Sequence, residues 1–210
     1  VTVYLRGAGV RVYPGGTGTE ALEILRREEI DLAVLDVMLP DISGMTLCAE
    51  IRRTHQFPIL MLTAKSEDTD KITGLTVGAD DYMTKPFSPL EMVPRVKAQL
   101  RRYTSYNGGE KEDEDTLTIG GLTINRTTHQ CWLYEELLSL TPIEFDILYL
   151  LASNPGRVFS TDEIFENVWN EKVYEANNTV MVHIRRLRGK MKEDARKNKI
   201  ITTVWGVGYK

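Results

Sequence analysis

The stretch LAVLDVMLPD, residues 32–41, decides how the chain is read. Its first four residues, Leu32 to Leu35, are apolar and have the length of a buried strand. The run ends on a carboxylate, Asp36, and resumes at once as Val37-Met38-Leu39-Pro40. A buried strand should not end on an ionised group without a reason. Either Asp36 is an ordinary loop residue that caps a turn, the usual case for a lone aspartate, or it stands where a sheet presents reactive groups.

Working outward, apolar strand patterns alternate with helical ones. Residues 10–13, 32–36, 58–63 and 81–84 read as strands. Residues 19–28, 45–54, 69–78 and 88–103 read as helices, the second with Leu47, Ala49 and Ile51 inward, the last capped by Ser88 with Pro89 in its first turn. Such alternation predicts a parallel sheet with helices on both faces. Ligands of such sheets bind beyond the carboxyl ends of the strands. Three strands end in useful groups there: Asp36, Thr63, and Lys85 within DYMTKPF. Singly, each has a bland reading, as a cap, a structural hydroxyl or an exposed turn lysine. Together on consecutive strands, a carboxylate, a hydroxyl and an ammonium can form and hold an acyl phosphate. A divalent ion is needed to let two anions approach, and a hard oxygen site for magnesium (Mg2+) fits.

Residues 104–116, TSYNGGEKEDEDT, break the pattern with paired glycines and an acidic run, and read as a flexible linker. Beyond it the pattern changes. Residues 117–124 and 129–133 alternate as antiparallel strands, and 137–140 follow as a short third. Thr141, Pro142 and Glu144 form a capping box that opens a helix, Ser160 to Glu163 open another, and residues 177–192 make a third. Residues 201–204 and 207–209 form a glycine-tipped hairpin, which completes a winged-helix outline.

Charge singles out the third helix. The net charge is −4, yet residues 177–199 hold eight basic and two acidic side chains. That is an electrostatic footprint for nucleic acid. Val180, Ile184, Leu187 and Met191 form one buried stripe. The other face is read as Asn178, Thr179, Met181, His183, Arg185, Arg186 and Arg188, suited to a major groove. The bland reading is a solvated basic face. No apolar window spans a membrane, no signal peptide is visible, and two scattered cysteines fit a reducing cytoplasm.

LAVLDVMLPDISG, PILMLTAK and GADDYMTKPF resemble the phosphoacceptor, switch-threonine and lysine motifs of bacterial response-regulator receiver domains. LTPIEFDILYLL and NNTVMVHIRRLRGKM…TVWGVGYK resemble the effector of the OmpR/PhoB subfamily, and the combination of DKITGLTVGADDY with TVWGVGYK most resembles the vancomycin-resistance type of regulator. The resemblance implies a CheY-like doubly wound receiver (residues 1–103), the linker (104–116), and a winged-helix α+β DNA-binding domain (117–210). It implies a phosphoprotein and not an enzyme, beyond slow autodephosphorylation. Asp36 would be phosphorylated by a sensor histidine kinase. Met38 would offer its carbonyl to the metal, Thr63 and Ala64 would bind the phosphoryl group, Lys85 would pair with it before a cis Pro86, and Tyr82 would be the aromatic switch. Lys71 with Glu91, Asp81 with Arg95 and Asp80 with Arg102 would pair across a two-fold dimer face, with Pro94 kinking the helix beside Arg95. Two effectors would bind repeated half-sites on double-stranded DNA, with RNA polymerase as a further partner. In the wing, Thr203 and Tyr209 are read as phosphate contacts, Tyr209 equally as core, and Trp205, which stands where the subfamily has arginine, as packing on sugars or on its own domain.

The family opens with a strand and an acidic pair that complete the metal site. Nothing precedes Val1, and VTVYLRGAG reads as the end of the first helix. The magnesium site is therefore expected to be incomplete in this chain. Two other classes compete. A haloacid-dehalogenase-like phosphatase also has an aspartate after a strand, but needs a second acid two residues on, where Met38 stands. A phosphate-independent DNA-binding protein would use the receiver only to dimerise, and its DNA binding would ignore Asp36→Asn.

Overall fold

The computed structural model describes residues 1–64, 77–106, 116–170, 177–193 and 200–210. They form two compact units, Val1–Ser105 and Tyr106–Lys210.

In the first unit the described elements are α1 (Thr2–Gly7), α2 (Gly18–Arg27), β1 (Ala33–Asp36), α3 (Gly44–Ile51), β2 (Ile59–Ala64), β3 (Asp81–Lys85) and α4 (Pro89–Tyr106). The strands make a parallel sheet in the order β1-β2-β3. Leu60 and Leu62 of β2 and Met83 of β3 pack with Met92 and Val96 of α4 in one cluster. The helix of residues 69–78 lies, but for its end, outside the described residues.

Three expectations need correction here. Residues 10–13 are not a strand. A strand needs a ladder partner for its N–H and C=O groups, and β1 pairs only with β2 among the described residues. Beside β1 lies instead a cleft of about 620 Å³, lined by Val10, Val12, Val34 and Asp36 among others. In α3, Cys48 is buried and Ala49 exposed, because Leu47, Cys48 and Ile51 share the inward face. Finally, α4 runs unbroken through Pro94 and on to Tyr106, taking in the first three residues of the expected linker. Of the rest of that linker, residues 107–115 lie outside the described residues and Thr116 begins a strand.

The second unit comprises β4 (Thr116–Ile119), β5 (Leu122–Asn125), β6 (Gln130–Leu133), β7 (Glu136–Leu137), α5 (Pro142–Ala152), α6 (Thr161–Trp169), α7 (Asn177–Lys190), β8 (Thr203–Val204) and β9 (Gly208–Tyr209). The single strand expected over 117–124 is two strands. Gly120 takes a positive φ of 58° and turns the chain, so Ile119 pairs with Leu122. Ser160 caps α6 as expected: its Oγ accepts from Glu163 N–H, and Glu163 returns a bond to Ser160 N–H. The stripe of Val180, Ile184 and Leu187 in α7, with Met191 just past its end, is buried with Phe145, Ile147 and Leu148 of α5 and Ile164 and Val168 of α6. The wing is tied down where Phe159 and Tyr209 exchange backbone bonds of 2.8 and 2.9 Å.

Candidate functional site

Strand register brings the first set of groups together. Asp36 stands opposite Leu62, one residue before Thr63, and Ala64 stands opposite Lys85. All three strands are parallel, so Asp36, Thr63 and Lys85 gather at one edge. Lys85 Nζ reaches Asp36 Oδ2 in an ion pair, and Met38 N–H donates to Asp36 Oδ1 at 3.0 Å. Both side chains of the pair stay accessible, 31% for Asp36 and 40% for Lys85. Thr63 is buried, and its hydroxyl donates to the Ala64 carbonyl at 3.2 Å. Tyr82 is half-buried. The Lys85–Pro86 bond is cis, as expected.

The loop after Asp36 is shaped by two residues that sequence reading passed over. A Cβ on Gly44 would lie 2.0 Å from the Asp36 carbonyl oxygen, so only glycine lets α3 start this close to the strand end. Gly44 N–H donates to Val37 O at 2.9 Å and closes the loop. Asp41 then accepts from Gly18 and Thr19 N–H at 2.8 and 2.9 Å, and these backbone bonds hold its carboxyl well below the usual carboxylate range. It ties the loop to the N-terminus of α2. The signal was present in DISG as an acid and a glycine after a strand.

The dimer-face residues are placed differently from expectation. Asp80 is buried and paired within the chain to Arg52, which also donates to the carbonyls of Gly78 and Phe57 at 2.7 and 2.8 Å. It is therefore not presented to an Arg102 of a second copy. Asp81 is also buried and pairs with Arg95 of the same chain at 2.9 Å. Desolvation raises its pKa, against the pull of Arg95. Arg95 lies 3.5 Å from Glu91 as well. Pro94 does not disturb that geometry. Lys71 and the Arg102 side chain lie outside what is described.

The basic helix is corrected in the same way. Thr179, His183 and Tyr209 are buried, so their side chains are core and not surface. His183 packs on Trp169, with ring centroids 5.5 Å apart. Position 183 follows Val180 by three, so it turns inward beside the apolar stripe. Arg188 braces the wing, donating to Ile201 O at 2.8 Å and to the Thr203 hydroxyl at 2.9 Å. Arg186 is 13% exposed and pairs with buried Glu144. Met181, Arg185 and Trp205 remain at the surface, Trp205 at 90% exposure. Asn178 lies in α7, its side chain undescribed.

Comparison with known proteins follows the same division. Residues 1–97 match the family "Response regulator receiver domain", and residues 135–210 match "Transcriptional regulatory protein, C terminal". The chain is a response regulator of the OmpR/PhoB type. This regulator is 51% identical to the regulatory protein VanR of Enterococcus faecium over 100% of its length and 91% of the relative's. It is 55% identical to VanRc of Enterococcus gallinarum, with the same coverage. A solved RitR mutant is 26% identical, with a TM-score of 0.72, covering 99% of this chain and 90% of that one. As a member of the family, it is a transcription factor whose DNA binding depends on phosphorylation. Its receiver domain implies a histidine kinase partner, and its effector domain binds DNA. No helix among the described residues is long and apolar enough to cross a membrane.

Receiver domains as a class bind magnesium. The described residues alone do not assemble such a site. No three of His, Cys, Asp and Glu cluster among them as metal ligands. Beside Asp36 the second ionic group is Lys85, a cation held on the carboxylate itself. A hard divalent ion requires several oxygen donors.

Proposed function

We propose that Asp36 is the residue that takes the phosphoryl group, and that the surface around Met181, Arg185 and Trp205 is what meets DNA. The ion pair of a part-exposed Asp36 with Lys85, at the carboxyl edge of a parallel sheet, carries the first half. One Asp36 oxygen attacks the phosphorus of a phosphohistidine on the kinase. The P–O bond forms as the P–N bond breaks, and the departing imidazole nitrogen takes a proton. Lys85 then moves from the carboxylate to a phosphoryl oxygen, where charge is densest. The Thr63 hydroxyl leaves the Ala64 carbonyl to donate to the same group, with the Ala64 N–H beside it. The space Thr63 gives up admits the half-buried Tyr82.

That rearrangement changes the face made by β3 and α4, where Leu90 is 88% exposed beside Glu91. The active form is a symmetric homodimer through this face, with Glu91 at its rim. Two effector domains then bind repeated half-sites. Arg185 meets phosphate or guanine from the major groove, and Trp205 packs against the sugar edge from the wing. RNA polymerase is the partner through which bound regulator acts on transcription. The cytoplasm, where such DNA lies, is its setting.

The test is a DNA-binding titration with and without acetyl phosphate, in wild type and Asp36→Asn. Stimulation in wild type alone supports this reading. Equal binding in all four samples favours a receiver that serves DNA binding without phosphate.

A further inference from the structure

The loop of residues 37–43 joins β1 to α3 and is fixed at both ends and in its middle. At its start, Met38 N–H donates to Asp36 Oδ1 at 3.0 Å. At its end, Ser43 Oγ caps α3 by accepting from Thr46 N–H at 3.1 Å, and Gly44 N–H reaches back to Val37 O at 2.9 Å. The middle is held by Asp41 alone of the loop's carboxylates. Its Oδ1 accepts from Gly18 N–H at 2.8 Å, and its Oδ2 accepts from Thr19 N–H and from the Thr19 hydroxyl, each at 2.9 Å.

This middle anchor spans more than twenty positions of sequence, and both sides are built for it. On the α2 side, Thr17 is already the N-cap and accepts from Glu20 N–H at 3.1 Å. Asp41 takes two of the N–H groups that the cap leaves over. Between them stands Gly18, where a Cβ would lie 2.4 Å from the Ile42 side chain. Glycine is a poor helix residue, and here it makes room for the loop to press against α2.

The anchor bears on the chemistry of Asp36 through Met38. One carboxylate oxygen is held by the Met38 N–H and the other by Lys85, so the plane of the group is set before any phosphodonor arrives. When Asp36 attacks acetyl phosphate, a P–O bond forms as the bond to acetate breaks, and acetate leaves with that electron pair. A misplacement of about 1 Å in such a step can cost on the order of a hundredfold in rate. We propose that Asp41 is a positioning residue for phosphoryl transfer, which keeps the Met38 N–H on Asp36 by tethering the loop to α2. This rests on the reading of Asp36 as the phosphoacceptor. Asp41 acts through the loop and not on the reacting atoms.

The experiment is a time course of adduct formation with magnesium and acetyl phosphate, read by intact mass. It is run on the full chain and on the same chain extended by the family's first strand and acidic pair. Asp41→Ala is expected to lower the rate at saturating acetyl phosphate roughly tenfold and to leave the half-saturating concentration unchanged. Asp41→Asn keeps an oxygen that can accept one of the two N–H bonds, and its rate is expected to fall in between. Thr17→Ala strips α2 of its own cap and leaves the loop's tether in place. It should lower the unfolding midpoint without slowing uptake. Hydrogen exchange at the Met38 amide reads the loop without phosphate, and is expected to quicken in Asp41→Ala and not in Thr17→Ala. Should Asp41→Ala fail to fold, Asp41→Asn carries both measurements. A wild-type rate in Asp41→Ala, an equal slowing in Thr17→Ala, or unchanged exchange at Met38 would each overturn the proposal. No adduct on either wild-type chain, with exchange at Met38 still answering to Asp41, would instead sink the reading of Asp36 on which it stands.

Discussion

Asp36 and Glu144 are both carboxylates that bond a lysine and an N–H group near the end of an element, and they differ in almost everything else. Asp36 is the last residue of a strand and lines a cleft, a third of its side chain open to solvent. Glu144 starts a helix and is sealed beneath another. One can meet a phosphodonor, and the lysine beside it can move with the new charge. The other is fixed by three partners at once, Thr141 N–H, Lys190 and Arg186. The same two functional groups become a reactive site or a structural rivet according to exposure and freedom to rearrange.

The strongest way to break the comparison is to remove each charge and follow stability. Glu144→Gln leaves Arg186 and Lys190 without their carboxylate in a largely desolvated place, and is expected to cost the effector unit about 3–5 kcal/mol in urea unfolding. Asp36→Asn is expected to change the receiver by less than about 1 kcal/mol, as for a part-exposed pair that solvent screens. Equal losses would remove the distinction. A somewhat smaller effect is expected at the phosphoacceptor loop. Gly44→Ala puts a methyl group against the Asp36 carbonyl and should destabilise the receiver by about 1–3 kcal/mol. It should also slow phosphoryl uptake, which a time course of adduct formation would read.

Acid sharpens the contrast further. Burial pushes the Glu144 carboxyl up, but Arg186, Lys190 and the Thr141 N–H together bring it below its ordinary value. A depressed folded-state pKa gives stability that is present above the unfolded value, about 4.3, and lost as pH falls through the folded one. The effector unit should therefore lose stability below about pH 4, and Glu144→Gln should flatten that loss in denaturation followed against pH. Smallest in stability is Trp205→Ala, within about 0.5 kcal/mol for so exposed a side chain. Its DNA affinity should nonetheless fall measurably in a titration.

The sequence was most legible where local chemistry and fold agree. Strand ends at Asp36, Thr63 and Lys85, the caps at Thr141 and Ser160 and the stripe from Val180 to Met191 each follow from a spacing rule. What could not be read depends on tertiary partners. Residues 10–13 have an apolar strand pattern but no neighbouring strand to bond among the described residues. His183, Arg188 and Asp80 carry polar groups that sequence assigns to the surface. Burial beside Trp169, bonds to the wing and the reach of Arg52 across 28 positions draw them inward. A polar residue's side of a helix follows from periodicity only until a specific partner claims it.

The most direct measurement is intact-mass spectrometry of the chain after incubation with magnesium and acetyl phosphate, alongside Asp36→Asn. One phosphoryl adduct on the wild type, absent from Asp36→Asn, is the expected result. An adduct that survives Asp36→Asn, or none even on a chain extended by the family's first strand and acidic pair, would contradict the assignment of Asp36 as the phosphoacceptor.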